Sequence, residues 1–149
     1  MKFEKTVTVK APREAVWQFL WDVPRVAACI PGCKGAQVVE EGKRYMATVG
    51  ERVGPFKVEF PLTIEVVESR APEYLKARAG GKDTKVDGLV KVELELHLAE
   101  AASGGTEMRL ITDVAVLGKL GTLGHSIIIR KGDEVVGKFA EAIRAQLER

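Results

Sequence analysis

Apolar and polar residues alternate along most of the chain between residues 34 and 116. The clearest stretch is 57–66, where every second residue from Val58 to Val66 is apolar and the residues between them are mostly polar. Residues 90–98 repeat the pattern. A period of two with one apolar face is typical of antiparallel strands whose other face is wet. This region therefore predicts a sheet with one buried face.

Glycine and proline divide the alternating region into strands. Gly42, Gly54-Pro55 and Ser103–Gly105 are turn signals between segments of strand character. Tyr74–Ala79 is predicted to be a short strand, followed by a turn over Gly80–Asp83. These turns predict about six strands in the middle of the chain.

Helical spacing is found on both sides of the strands. After a first predicted strand over 2–10, apolar residues recur at the helical period from Val16 to Val23. Pro12 suits the first turn of this helix because an N–H there has no helical partner. Pro24 ends or redirects the helix, and a second short helix follows directly.

The C-terminal segment returns to helical spacing with two apolar stripes. The stripes consist of Leu120, Leu123, Ile127 and Ile128, and of Val136, Phe139, Ile143 and Leu147. They are rotated from each other by roughly a third of a turn, and Gly132 lies between them. Either the helix bends at Gly132 or its two halves pack against different surfaces.

The order of these elements is strand, two short helices, about six strands and one long helix. It predicts an α+β fold in which a curved antiparallel sheet of six to seven strands wraps around the C-terminal helix, in one domain over residues 1–149. A single helix does not fill a broad concave sheet. We therefore expect a cavity toward one end.

Composition narrows the class of protein. The chain has 149 residues, of which 46% are hydrophobic and 30% charged, as in a globular domain with its own core. A net charge of +2 argues against a nucleic-acid partner. No apolar run reaches the roughly 20 residues of a membrane span, and no apolar leader precedes the first strand. With two cysteines, we expect a cytoplasmic protein.

Few residues suggest chemistry. Cys29 and Cys33 have neither redox nor zinc-site spacing and are interpreted as structural thiols, so no metal is predicted. Strand parity turns Glu51 inward. His125 is expected near the cavity wall, where it either contacts a ligand or is an ordinary exposed side chain. No catalytic triad is recognisable.

Four motifs together resemble one family across essentially the whole chain. They are Ala11-Pro12-x-x-x-Val16-Trp17, Cys29-Ile30-Pro31-Gly32-Cys33, Val53-Gly54-Pro55-Phe56 and Gly118-Lys119-Leu120-x-x-Leu123-Gly124, the last predicted to open the final helix. The family is that of the carbon monoxide dehydrogenase subunit CoxG, of the SRPBCC superfamily, also called START-like or helix-grip.

The resemblance implies a non-enzymatic binding protein with no intrinsic cofactor. Members accompany molybdenum-containing carbon monoxide dehydrogenases, are linked to recruiting the enzyme to the membrane, and are linked to carrying a quinone in the apolar cavity. Many have a hydrophobic C-terminal tail, which does not follow Leu147 here. We therefore expect at most peripheral contact with the inner face of the membrane, and the oligomeric state stays open.

The candidate ligand-binding residues follow from strand parity and from this architecture. On the inward rows they are Phe60, Leu62, Leu94, Leu96, Met108 and Leu110, and at the expected rim they are Phe56, Leu120, Leu123, Gly124 and Ile127. Plain core packing is the ordinary alternative for each inward residue. Glycines such as Gly124 leave room for a ligand or allow close packing of the helix on the sheet.

Two other functions remain open. One is an enzyme of the same fold, a cyclase or hydrolase acting on an apolar substrate, which requires ionisable side chains to converge in the cavity. Glu51, His125 and Thr112 are the candidates. The other is a protein adaptor whose cavity is vestigial.

Overall fold

The computed structural model describes residues 1–83 and 85–148. In them the chain forms seven strands, three α-helices and one short 3₁₀ helix. The strands are β1 (Lys2–Val9), β2 (Cys33–Glu40), β3 (Arg44–Val53), β4 (Phe56–Arg70), β5 (Tyr74–Lys82), β6 (Gly88–Glu100) and β7 (Thr106–Gly118). The helices are α1 (Arg13–Leu20), α2 (Val23–Cys29), the 3₁₀ helix (Lys119–Leu123) and α3 (His125–Leu147).

All seven strands form one antiparallel sheet in the order β1-β7-β6-β5-β4-β3-β2. Every pair except β1–β7 joins strands that are neighbours in sequence. The first strand, β1, lies at one edge of the sheet and pairs Lys2–Val9 with Thr106–Asp113 of β7. The curved sheet, the long C-terminal helix and the two short helices after the first strand confirm the predicted α+β fold.

The predicted turn at Gly80–Asp83 is wrong, because Gly80, Gly81 and Lys82 continue β5. A Cβ on Gly81 would lie 2.3 Å from the backbone oxygen of Pro61. Here glycine permits a close approach between two strands rather than a turn. The chain reverses instead between Lys82 and Gly88.

The start of the last helix also differs from the prediction. Residues Lys119–Leu123 form the separate 3₁₀ helix. Gly124, with a φ of +102°, is not helical and separates it from α3, which begins at His125. In contrast, α3 continues unbroken through Gly132. A Cβ at Gly132 would lie 2.3 Å from Cζ of Phe3, so this glycine allows the helix to pack closely against β1.

The buried side chains form two clusters of unequal size. The main cluster joins β1, α1, β6, β7 and the second half of α3, and its largest fully buried members include Met108, Leu110 and Ile143. The second cluster contains only Val58, Phe60 and Leu120, with partly buried neighbours around them. Most of the buried side chains therefore lie in the main cluster, and few lie in the second.

Candidate functional site

A cavity of about 250 Å³ lies between the sheet and the first half of α3. Its lining residues are Phe3, Ile30, Pro31, Val49, Glu51, Val53, Val58, Phe60, Leu62, Val90, Val92, Thr112, Val114, Val116, Leu120, Ile128, Lys131, Gly132, Val135 and Val136. Nearly all of these side chains are apolar. Such a lining suits a small hydrophobic molecule, because its affinity would come mainly from burying apolar surface.

The inward rows of the strands build the cavity walls. The row from Val58 to Leu62 on β4 forms one wall, and Val90 with Val92 on β6 continues it. Alternate residues of an antiparallel strand face the same side, so the apolar half of the sequence pattern faces the cavity. Val136 lies opposite these rows on α3.

An ion pair interrupts the apolar wall. The Lys131 Nζ on α3 lies 3.2 Å from Oε2 of Glu51 on β3 and 3.3 Å from Oε2 of Glu134. The side chains of Lys131 and Glu51 are 21% and 25% exposed, so the pair lies where the wall meets solvent. Burial lowers the pKa of Lys131, but hydrogen bonds to Glu51 and Glu134 outweigh this effect and raise the pKa above its usual range. Lys131 is therefore a charged donor beside the cavity.

Thr112 is the third polar side chain in the lining of the described part of the chain. It is 6% exposed, on a β7 row whose neighbours Leu110 and Val114 are apolar. Its hydroxyl can donate and accept a hydrogen bond. The cavity thus offers one buried hydroxyl and, at its solvent side, one ammonium group.

A second cavity of about 160 Å³ lies beneath α2. Its lining residues are Leu20, Trp21, Val23, Val26, Ala27, Ile30, Ala36, Tyr45, Met46, Ala47, Ile64, Val66, Leu75, Ala77, Leu94, Leu96 and Phe139. This lining too is almost wholly apolar. Ile30 is shared with the larger cavity.

A buried carboxylate ties down the loop beside the larger cavity. Oδ2 of Asp83 accepts a hydrogen bond from the backbone N–H of Glu59 at 2.5 Å, and Oδ1 accepts from the N–H groups of Lys85, at 2.8 Å, and Val86. Burial raises the pKa of Asp83, but these backbone hydrogen bonds outweigh that effect and lower it. Val86 then packs against the cluster formed by Val58, Phe60 and Leu120, all three of which line the cavity.

A wider groove of about 780 Å³ lies on the opposite, polar face of the sheet. Its lining includes Glu65, Arg78, Lys91, Glu93 and Asp113, and Arg78 pairs with Glu93 at 3.5 Å. Such a surface gains little from contact with an apolar molecule, because its charged groups would lose water. We therefore regard the two internal cavities as the candidate site.

The structure divides the predicted site residues among four places. Phe60, Leu62 and Leu120 line the larger cavity, whereas Leu94 and Leu96 line the smaller one. Met108 and Leu110 lie in the packed core and line neither cavity. The other four residues lie at what we call the loop end of the domain, where the β3–β4 hairpin meets the junction of the 3₁₀ helix and α3: Phe56, Leu123, Gly124 and Ile127.

The residues at the loop end pack against one another. Phe56 and Leu123 contact the second buried cluster. A Cβ placed on Gly54, at the tip of the β3–β4 hairpin, would lie 3.5 Å from Cγ2 of Ile127 and 3.6 Å from Cδ2 of Leu123. Gly124 is exposed. None of these residues is in the lining of either cavity.

Of the candidate polar residues, some line the cavity and one does not. Glu51 lines the cavity, as strand parity predicted. His125 is exposed at the start of α3 and does not line the cavity, so its expected place at the cavity wall is wrong. A histidine in the first turn of a helix faces the sheet only if the apolar stripe includes its position. The apolar stripe of α3 begins at Ile127 and Ile128 instead.

Sequence reasoning missed Lys131 and Ile30. Lys131 follows two apolar residues of the first stripe at helical spacing, Ile127 and Ile128, which was the available signal for an inward position. Ile30 precedes a proline, which disfavours helical geometry at that residue. No pattern in the sequence places its side chain between two cavities.

Both cysteines are free. Burial raises the pKa of the Cys29 thiol, which disfavours the reactive thiolate, and its Sγ donates to the backbone oxygen of Arg25 at 3.4 Å. In residues 1–83 and 85–148, no group of three or more His, Cys, Asp or Glu side chains is arranged to hold a metal ion. Among the described residues, no helix combines the length and apolar character needed to cross a bilayer.

Solved structures share this fold over nearly the full chain. A conserved protein from Geobacillus kaustophilus is 22% identical with a TM-score of 0.88, and the alignment covers 99% of this chain and 95% of that one. A START superfamily protein from Mycobacterium smegmatis is 15% identical with a TM-score of 0.76 (99% and 97% covered). An aromatase/cyclase, Zhui, from a Streptomyces species is 20% identical with a TM-score of 0.70 (100% and 94% covered). The chain thus has the START-like helix-grip fold, with an apolar cavity between the sheet and α3.

A narrower assignment comes from the sequence of the whole domain. The model of the family described as the carbon monoxide dehydrogenase subunit CoxG matches residues 6–148. The chain belongs to this family. A search of curated proteins finds no match.

Proposed function

We propose that this protein binds a hydrophobic small molecule, a quinone, without transforming it, as an accessory to a molybdenum-containing carbon monoxide dehydrogenase-type enzyme. The observation that carries the proposal is the 250 Å³ cavity with its almost wholly apolar lining. Family membership supports the partner enzyme, since the family is described by its place in carbon monoxide dehydrogenase.

The apolar walls offer enough free energy for useful affinity. Burying about 500 Å² of apolar ligand surface at about 25 cal/mol per Å² contributes on the order of 12 kcal/mol. The loss of translational and rotational freedom offsets a large part of this gain. The remainder corresponds to micromolar or tighter binding.

The polar groups suit a ring that carries carbonyl oxygens. A quinone has acceptor oxygens on opposite sides of a flat apolar ring. The Lys131 ammonium and the Thr112 hydroxyl are donors in the lining of the same cavity. Each satisfies one polar end of such a ring, which would otherwise lose hydrogen bonds to water on entering the cavity.

The same groups support binding rather than catalysis. The charge of Glu51 is balanced by its ion pair with Lys131. His125, the third residue that an enzymatic site was expected to use, is exposed on the outside of the domain. Of the three candidates for an enzymatic site, Glu51 and Thr112 line the cavity and His125 does not.

The pair of Glu51 and Lys131 is also the observation that favours a second candidate, a cyclase or hydrolase. An acid–base pair beside an apolar pocket can move a proton to or from a bound substrate, and the Zhui aromatase/cyclase has the same fold. Glu51→Gln separates the two functions. A binding protein keeps most of its quinone affinity in this variant, whereas an enzyme loses turnover of its apolar substrate while still binding it.

The direct test is an isothermal calorimetric titration of the purified protein with a water-soluble short-chain quinone. Val92→Phe places extra bulk in the larger cavity, so we expect affinity to fall at least tenfold. Val67→Phe is the matched control, since Val67 is 45% exposed and outside both cavities. Circular dichroism checks that both variants fold. Absence of micromolar binding to the unsubstituted protein, or equal affinity in both variants, contradicts the proposal.

The adaptor alternative concerns the partner rather than the ligand. Co-purification of the dehydrogenase with the Val92→Phe variant separates the two roles. If partner binding survives while quinone binding is lost and electron transfer to quinone is unchanged, the cavity is vestigial. The carrier proposal expects that electron transfer to fall together with quinone binding.

A further inference from the structure

The two cavities follow one another along the same inward-facing rows of the sheet. On β4, Val58, Phe60 and Leu62 line the larger cavity, and the next two inward residues, Ile64 and Val66, line the smaller one. Because the row is continuous, the cavities are successive segments of one trough. At about 3.3 Å per residue, the row from Val58 to Val66 is about 26 Å long.

The other walls show the same succession. On β6 the lining passes from Val90 and Val92 in the larger cavity to Leu94 and Leu96 in the smaller. On α3 it passes from Val136 to Phe139, one turn further along the helix. No wall residue of the sheet or of α3 is shared between the cavities among the described residues.

Ile30 is the one residue of the described chain that lines both cavities. Its backbone is fixed on both sides, because its N–H donates to the oxygen of Ala27 at 3.1 Å and its own oxygen accepts from the N–H of Cys33 at 3.1 Å. Pro31 follows directly and holds Ile30 in extended geometry, with φ −82° and ψ 118°. The side chain is therefore held at a fixed point over the trough.

We propose that Ile30 sets the length of ligand that the site accepts. Its side chain closes the trough between the two cavities and confines the ligand to the larger one. The ligand class is then a ring-sized apolar molecule with a carbonyl oxygen near Lys131 and at most a short chain on its inner side. A molecule with a longer inner chain meets the Ile30 side chain. This inference rests on the proposed function, because it assumes that the larger cavity binds the ligand.

The test uses a series of naphthoquinones with straight alkyl chains of increasing length, measured by calorimetry. While a chain enters apolar space, each methylene increases affinity about fourfold. We expect this gain to stop at a certain length in the unsubstituted protein. In Ile30→Ala the gain continues for several more methylenes, and in Ile30→Phe it stops no later than in the unsubstituted protein.

Val135→Ala is the matched control, because Val135 lines the larger cavity alone. It also removes apolar bulk from the site, but it does not open the passage between the cavities. We expect it to change affinity by a similar factor for every chain length and to leave the stopping length unchanged. A stopping length that moves equally in Val135→Ala and Ile30→Ala overturns the proposal.

Trp21 reports directly on the smaller cavity, since its side chain lines it. A bromine atom at the end of the alkyl chain quenches tryptophan fluorescence on contact, and the same compound without bromine corrects for quenching by the ring. We expect bromine-dependent quenching with long chains in Ile30→Ala and little in the unsubstituted protein. Trp21→Phe in the Ile30→Ala background removes most of this quenching and leaves Trp17 as the remaining tryptophan.

The outcomes separate this inference from the proposed function. If short-chain naphthoquinones bind but the stopping length is the same in Ile30→Ala and the unsubstituted protein, the chain leaves through the open side and the Ile30 proposal is wrong. Long chains that bind Ile30→Ala without bromine-dependent quenching also overturn it. If no naphthoquinone binds any variant, the proposed function and this inference both fail. Thermal unfolding establishes that each variant is folded.

Discussion

The two ends of the sheet are built from the same alternating sequence pattern but are filled differently. At one end, α1 and the second half of α3 cover β1, β6 and β7, and side chains such as Met108 and Ile143 are fully inaccessible to solvent. At the other end the first half of α3, the short 3₁₀ helix and the segment Ile30-Pro31 cover the sheet, and the 250 Å³ cavity lies among the inward rows. The comparison shows that the same inward apolar rows become packed core or cavity wall according to the side chains that lie opposite them.

The largest expected effect comes from making the same substitution at both ends. Leu110→Ala removes a side chain that is 1% exposed in the packed end, and we expect it to lower the free energy of unfolding by about 4 kcal/mol. Leu62→Ala at the cavity wall should cost about 2 kcal/mol, because Leu62 is only partly buried and already borders empty space. Urea denaturation of both variants measures the difference. Equal losses contradict the view that the two ends differ in packing.

Asp83 tests what holds the cavity end together. Asp83→Ala leaves the backbone N–H groups of Glu59, Lys85 and Val86 without their acceptor, and we expect a loss of about 2 kcal/mol. The lowered pKa of Asp83 means that its stabilising contribution is complete above the ordinary pKa of an aspartate and is lost as the pH falls through the folded-state pKa. Denaturation at neutral and acidic pH measures the free energy of unfolding of the unsubstituted protein and of Asp83→Ala. We expect the difference between them to shrink in acid, and a difference that grows there contradicts the prediction.

Two glycines in α3 give opposite expectations. Nothing lies within 4 Å of a Cβ added at Gly137, so Gly137→Ala should stabilise the protein by about 0.5–1 kcal/mol through helix propensity. At Gly132 the added methyl group meets the buried ring of Phe3, which lines the larger cavity. Gly132→Ala should therefore destabilise the protein by about 1 kcal/mol and weaken quinone binding. Thermal unfolding and calorimetry compare the pair, and stabilisation by both would contradict close packing at Gly132.

The smallest effect is expected for the ion pair at the cavity wall. Glu51→Gln should cost about 0.5 kcal/mol, because the pair with Lys131 is partly exposed to solvent. Since the pKa of Lys131 is raised in the folded protein, the contribution is complete below the ordinary pKa of a lysine and is lost as the pH rises through the folded-state value. Unfolding measured at neutral and alkaline pH should show the difference disappearing in alkali. A difference that persists there indicates that Glu51 acts through packing instead.

The inward and outward assignment of most strand residues could be predicted from the sequence alone. Residues of one parity, such as Val58, Phe60 and Leu62, face the interior because the backbone of a strand alternates its side chains. The role of Gly80 and Gly81 could not be predicted correctly, since the same residue type marks a turn in one place and a close approach of strands in another. Only the distance to Pro61 distinguishes the two.

The location of the cavity needed the tertiary structure. The inward rows of β7 and β4 cannot be told apart by pattern, because Met108 on β7 and Phe60 on β4 obey the same alternation, yet one is core and the other borders the cavity. What separates them is what lies opposite each position along the strand, since Thr112 and Val114 on the same β7 row do line the cavity. That depends on contacts between residues far apart in the sequence, such as Phe3 with Gly132.

The sequence by itself determined the order of strands and helices, the buried face of each and the family, because these depend on local periodicity and on motifs within short segments. Only the tertiary structure decided where space remains between sheet and helix, that Lys131 joins Glu51 at its edge, and that Ile30 lies between two cavities. Empty volume is a property of several elements packed together, and no single segment encodes it.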